Sequence, residues 1–178
     1  KTWVRKDDGV HAFRGNCVHH VAHDPANASV LFRQEHFGVY RSDDGGDSWR
    51  VLEDGLPVAD MSDGHRCSFG FPMVMDRKSG SVFAVPLDGD NFRFPRGGQL
   101  AVYRNDDGSK WQAKTNGLPA NCFAGVLRGS MAADQLDPGG IYFATTSGAL
   151  YASGDVGESW REIASGLPRV LSVDAYGA

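Results

Sequence analysis

The chain has 178 residues, 41% of them apolar and 22% charged, enough to bury one sizeable core and too apolar for a disordered polyelectrolyte. A net charge of -4, with no basic run and no interleaving of basic and aromatic residues, argues against nucleic acid as a partner. No apolar stretch approaches the roughly 20 residues of a membrane-spanning helix. The 23 glycines stand well above the usual share of about 7%, which points to many tight turns and hence many short strands. No signal peptide is visible, and a chain opening on Lys1 rather than Met leaves the compartment open.

In chain order, Thr2-Trp3 reads as the tail of a repeat whose Gly9 follows six residues after the tryptophan. The first full unit predicts strands over 17–21, 30–34, 38–41 and 49–52. The second predicts strands over 71–75, 81–86, 100–104 and 111–114. The third predicts strands over 122–127, 141–145, 149–152 and 160–163. β-Branched and aromatic residues fill many of these runs, and Gly, Asp, Asn or Pro separates them. No helix is expected beyond a single turn over 131–136. Cys17, Cys67 and Cys122 are odd in number and lack close spacing, so neither a disulfide framework nor a zinc site is expected. They read as three buried thiols.

The units repeat a turn. Val39 to Trp49, Val102 to Trp111 and Leu150 to Trp160 align, the middle copy one residue shorter. Gly-Leu-Pro follows six residues after each tryptophan, at Gly55, Gly117 and Gly166. Trp3, Trp49, Trp111 and Trp160 lie 46, 62 and 49 residues apart, matching a propeller blade of about 40–50 residues with one insertion. In the turn, Gly46 and Gly157 supply positive φ, and Ser42, Asp44, Asp107, Ser153 and Asp155 can fold onto nearby backbone N–H groups. The tryptophan pins the loop to the core.

The stretches Ser42 to Trp49 and Ser153 to Trp160 resemble the Asp box of BNR repeats. The middle copy departs from it, with Asn105 in place of serine and Asp107 and Trp111 retained. That box recurs in sialidases, xyloglucan-active glycoside hydrolases, sortilin-type receptors and a photosystem assembly factor. The whole chain resembles the later half of bacterial sialidase-like, BNR-repeat glycosyl hydrolases. The resemblance implies an all-β propeller of four-stranded blades, about three full blades plus flanking strands, within a six- or seven-bladed ring. Residues 1–178 then form one partial propeller: a blade end at 1–9, blades at 10–57, 58–119 and 120–168, and the start of the next at 169–178. The expected partner is the rest of that propeller or a second copy, because three blades leave raw edges. The resemblance also implies a carbohydrate-related function with the boxes structural. A non-catalytic protein-binding or assembly scaffold is the alternative.

Sialidases hold the substrate carboxylate with an arginine triad and use a tyrosine–glutamate pair and an aspartate. None of these is assigned here, so the catalytic residues stay unknown. Phe92-Arg93-Phe94-Pro95 resembles the family's Phe/Tyr-Arg-Ile-Pro motif. It sits in a Gly/Asp-rich loop of a middle blade, however, not before the first box, and reads as a surface loop. The unusual stretch is Cys17 to His23, an innermost strand carrying His19, His20 and His23. Strand alternation places His19 and His23 on one face. With Gln34 and His36 on the adjacent strand, two or three imidazoles could bind a metal, hydrogen-bond a polar ligand such as a sugar, or simply line the channel, and the lack of a carboxylate at fixed spacing weighs against the metal. Arg66, Arg128 and Asp134 are further inner-strand candidates for a carboxylate or sugar hydroxyl. Glu35, Asp76, Asp88, Asp90 and Asp134 are the carboxylates available for glycoside chemistry. No metal and no cofactor is assigned.

Overall fold

The computed structural model describes Thr2, Val4 and residues 17–177. Trp3 and Gly9, the expected opening copy, lie outside the described residues. The first sheet runs β1 (Val18–His23), β2 (Leu31–Glu35), β3 (Gly38–Ser42) and β4 (Arg50–Val51), each antiparallel to the next. A two-stranded ribbon, β5 (Ala59–Asp60) with β6 (Arg66–Cys67), leads into the second sheet. That sheet is β7 (Phe69–Met75), β8 (Val82–Leu87), β9 (Val102–Asn105) and β10 (Gln112–Lys114). The third is β11 (Met131–Ala133), β12 (Ile141–Ala144), β13 (Leu150–Ser153) and β14 (Arg161–Ala164). Among the described residues, a 3-10 turn at Arg96–Gly98 is the only helical element. No helix there is long and apolar enough to cross a membrane. β7 packs against both β1 and β11, so the first strands of the three sheets lie side by side along one inner edge.

The core lies between the sheets. β8 is buried along its length because alternate residues serve two neighbours. Val82 and Ala84 join Phe32, Val39 and Leu52 of the first sheet. Phe83 and Val85 join Ile141, Phe143 and Tyr151 of the third. Trp111 and Trp160 enter the same two layers, 2% and 5% exposed. Trp49 is half-buried, with the Arg33 guanidinium 4.4 Å from its ring centre.

Each buried tryptophan also docks its backbone on the preceding sheet. Trp111 N–H donates to Asp54 O at 2.8 Å, and Trp160 N–H donates to Asn116 O at 2.9 Å. The next residues, Gly55 and Gly117, have φ of +87° and +86°, and a Cβ on either would meet the tryptophan carbonyl oxygen at 2.3 and 2.0 Å. Both the dihedral and the close approach demand glycine. Gly166 repeats the conformation, with φ of +71° and no described residue within 4 Å of where its Cβ would stand.

The turns before the tryptophans are held by their own side chains. The Ser42 hydroxyl oxygen accepts from Gly46 N–H at 2.8 Å, and Asp44 accepts from Ser48 N–H at 2.8 Å and from its hydroxyl at 2.6 Å. Ser153 and Asp155 repeat this with Gly157 and Ser159. In the shorter middle turn, Asn105 Oδ1 accepts from Gly108 N–H at 2.6 Å and Asp107 accepts from Ser109.

Five expectations need correction. The inner strand of the third sheet is β11, not 122–127. That segment is apolar because Ala124 and Val126 are buried in the layer between sheets, and its backbone bonds go to Gly98 and Thr146 instead of a ladder. Residues 131–133 are therefore strand where a turn of helix was the most expected. Arg66 lies on the ribbon strand β6, exposed and paired with Asp60 at 2.8 Å, not on an inner strand. His19 does not share a face with His23: Val18 opposes Glu35 while His20 opposes Gln34, so His19 is the extra residue of a β-bulge and is buried, whereas His23 is exposed. Of the three thiols only Cys67 is buried; Cys17 is exposed and Cys122 intermediate.

Candidate functional site

Two groups of polar side chains meet at the inner edge, on either side of Phe71 of β7. Phe71 is 2% exposed, and both groups lean on its ring. On one side the Arg128 guanidinium sits 4.4 Å and the Arg93 guanidinium 5.6 Å from the ring centre. On the other side the His19 ring centre is 4.9 Å away.

The arginine side opens into a cavity of about 650 Å³, within the usual range of small-molecule sites. Its polar walls come from three separate places in the chain. Arg93 stands in the β8–β9 loop, Arg128 three residues before β11, and Arg169 five residues after β14. Leu127 and Thr146 add to the wall around Phe71, and none of the described residues lining the cavity is acidic. Arg93 donates to Asp90 O at 3.1 Å, and none of the three arginines forms an ion pair with a described residue. Segment 170–173 frames the rim by running parallel to 128–130, with Val173 N–H donating to Gly129 O at 2.8 Å. Three guanidiniums, two of them resting on the Phe71 face and none ion-paired with a described residue, form a receptor for an anion with several oxygens.

On the histidine side, His19 Nδ1 lies 2.6 Å from Gly70 O. Burial, the largest influence, brings the His19 imidazole down to about 4; the Gly70 bond works upward, and Arg128, His36 and Arg93 work downward. His20 is lowered too, by burial first, with a hydrogen bond to the Arg128 backbone opposing it. His36, in the β2–β3 turn, has Nε2 3.6 Å from Asp90 Oδ2. Phe69 stands edge-on to both His19 and His36.

The remaining candidates are committed elsewhere. Gln34 is 2% exposed, and its amide N–H groups donate to the carbonyls of Glu35, Gly38 and Ser68. Asp134, just past β11, accepts from Leu136 N–H, Gly140 N–H and the Tyr142 hydroxyl, which closes the β11–β12 turn. Glu35 is fully buried beside Arg33; Asp76 caps the turn at Ser79, and Asp88 pairs with Arg96. Sequence reasoning missed Arg169 altogether and left Arg93 as a surface loop residue. The signal for Arg93 was the Phe-Arg-Phe-Pro stretch; none marked Arg169, which reaches the cavity only through the path of the chain after β14.

Three antiparallel four-stranded sheets, packed face to face with their first strands along a common edge, are blades of a β-propeller. Solved structures agree on the fold. An ancestral GH74 enzyme superposes with a TM-score of 0.62 at 21% identity, over 84% of this chain and 18% of the enzyme. The GH74 enzyme of Niastella koreensis gives 0.59 at 16% identity, over 90% of this chain and 24% of that one. The GH74 xyloglucanase of Xanthomonas campestris gives 0.54 at 22% identity, over 81% and 22%. The chain thus spans about a fifth of the length of these propellers. No family model and no curated protein sequence matches it.

Proposed function

We propose that this chain is part of a BNR-repeat propeller of sialidase-like kind that binds an acidic carbohydrate in the Arg93–Arg128–Arg169 cavity. The observation that carries the reading is the convergence of three arginines, free of ion pairs with described residues, on one cavity of small-molecule size. One guanidinium can pair bidentately with a sugar carboxylate while a second donates to a remaining lone pair, and the Phe71 ring holds Arg128 and Arg93 in place for it. Glycoside hydrolysis needs two carboxyl groups flanking the bond, about 5–10 Å apart. The cavity wall offers none among the described residues, so the role assigned to this cavity is recognition and not cleavage. The xyloglucanase likeness, a matter of fold alone, is compatible with a carbohydrate ligand and does not choose one.

The three sheets act in this reading as consecutive blades of a six- or seven-bladed ring, completed by the rest of the propeller or a second copy. Gly166 supports it: it repeats the positive φ of Gly55 and Gly117 with no described residue docked on it, and nearby in sequence Ile163, Leu167 and Leu171 are exposed.

The test is calorimetric titration with sialylated and uronic-acid oligosaccharides against neutral xyloglucan oligosaccharides. Acidic glycans bind, and Arg128→Ala and Arg169→Ala each weaken them by about tenfold or more while the fold is kept. Equal or tighter binding of the neutral glycans, or arginine variants indistinguishable from the parent, would refute the reading. Glycan silence with capture of an acidic peptide would favour the scaffold alternative.

A further inference from the structure

Across Phe71 from the arginine cavity, three ligating side chains converge at the open end of the first sheet. Ligand atoms of Cys17, His19 and His36 all lie within 4.8 Å of one another. The backbone explains why. His36 N–H donates to Cys17 O at 3.1 Å, which ties the residue before β1 to the turn after β2. His19 is the bulged residue of β1, and a bulge re-aims the side chain it carries. The result is a His19 ring centre 6.1 Å from that of His36. Neither strand alternation nor a spacing motif announces this set.

Two surrounding features belong to an ion site. Gly70 O can only accept, so in the neutral ring His19 Nδ1 carries the proton and Nε2 presents its lone pair. Asp90 Oδ2 stands 3.6 Å from His36 Nε2, longer than a hydrogen bond, and places a negative charge beside the cluster that favours a bound cation. Asp90 is itself held by the Ser62 N–H and hydroxyl. Phe37, Phe69 and Phe71 pack around the two rings, while Cys17 is exposed and leaves a path for entry.

We propose that Cys17, His19 and His36 bind one Zn²⁺ ion and leave one coordination position open to water or to an outside ligand. A thiolate with two imidazoles suits this borderline-soft ion, and three protein ligands are the pattern of sites that keep a position free. Bond lengths of about 2.0–2.3 Å place tetrahedral ligands roughly 3.3–3.8 Å apart, so ligand atoms within 4.8 Å of one another need shifts of only about 1 Å to close on the ion.

Cobalt is the spectroscopic probe, with zinc as competitor. The purified full chain takes up one equivalent of Co²⁺ with a thiolate-to-cobalt charge-transfer band, and Zn²⁺ displaces it. Cys17→Ser abolishes the band, His36→Ala weakens binding by roughly tenfold or more, and His23→Ala, at the exposed end of β1, changes neither. Absence of the band in the folded protein, or its survival in Cys17→Ser, overturns the proposal. Zinc-edge X-ray absorption on the unmodified protein identifies the ligand atoms without relying on any variant to fold. One sulfur and two imidazole nitrogens support the site, and a shell without sulfur rejects it.

Discussion

Asp44 shows how much a single side chain decides. Its carboxylate accepts from the Ser48 hydroxyl and N–H and from the Ser42 hydroxyl, and these bonds, the Ser48 hydroxyl first, hold it at about 2. Asp155 moves the same way: burial pushes it upward, and the bonds from Ser159 and Ser153 outweigh that push. A carboxylate with a depressed folded-state pKa binds fewer protons folded than unfolded. Its contribution is therefore complete above the ordinary aspartate value of about 3.9 and is lost as pH falls toward about 2. Melting temperature followed from pH 5 to pH 2 should drop through that window, and Asp44→Asn should flatten the drop. A variant profile parallel to the parent's would mean that Asp44 does not couple to folding. Such bonds reach only four residues, which is why a turn of this kind is legible from its own letters. The His19 bulge is not, because it depends on how Val18 and His20 pair with β2.

Between elements, the tryptophan dock joins one sheet to the next. Trp160→Ala should cost about 3–5 kcal/mol through the cavity it leaves, and Trp49→Ala less, since Trp49 is only half-buried. Urea unfolding midpoints check the order; equal losses would contradict it. The same measurement separates the glycines. Gly55→Ala and Gly117→Ala drive a Cβ into a tryptophan carbonyl, whereas Gly166→Ala meets only the strain of positive φ, about 1–2 kcal/mol. The first two should therefore destabilise more. Strands were legible wherever alternation and turn residues framed them, as in β2, β3, β12 and β13. The inner strand of the third sheet was not, because the apolar run 122–127 looks the same whether it joins a ladder or fills a layer between sheets. The short β11, rich in alanine, carries little strand signal.

At the scale of the whole molecule, an acidic chain of net charge -4 gathers three arginines at one cavity. Local field and net charge thus have opposite sign, and a small anion responds to the local one. Affinity of the acidic glycan should fall as salt is raised from about 0.05 to 0.5 M, over which the screening length shrinks to a few ångströms. Salt-independent binding would mean that the arginines do not carry it.

Sequence alone determined the repeat, the strand-rich blades and the positions of the turns, because these follow from short-range periodicity and from residues that tolerate positive φ. Only the tertiary structure decided which distant side chains meet. Arg93, Arg128 and Arg169, and likewise Cys17, His19 and His36, come together through the packing of first strands, a bulge and the path of the chain after β14. No local pattern encodes those juxtapositions, because each depends on how separate segments of the chain pack together in space.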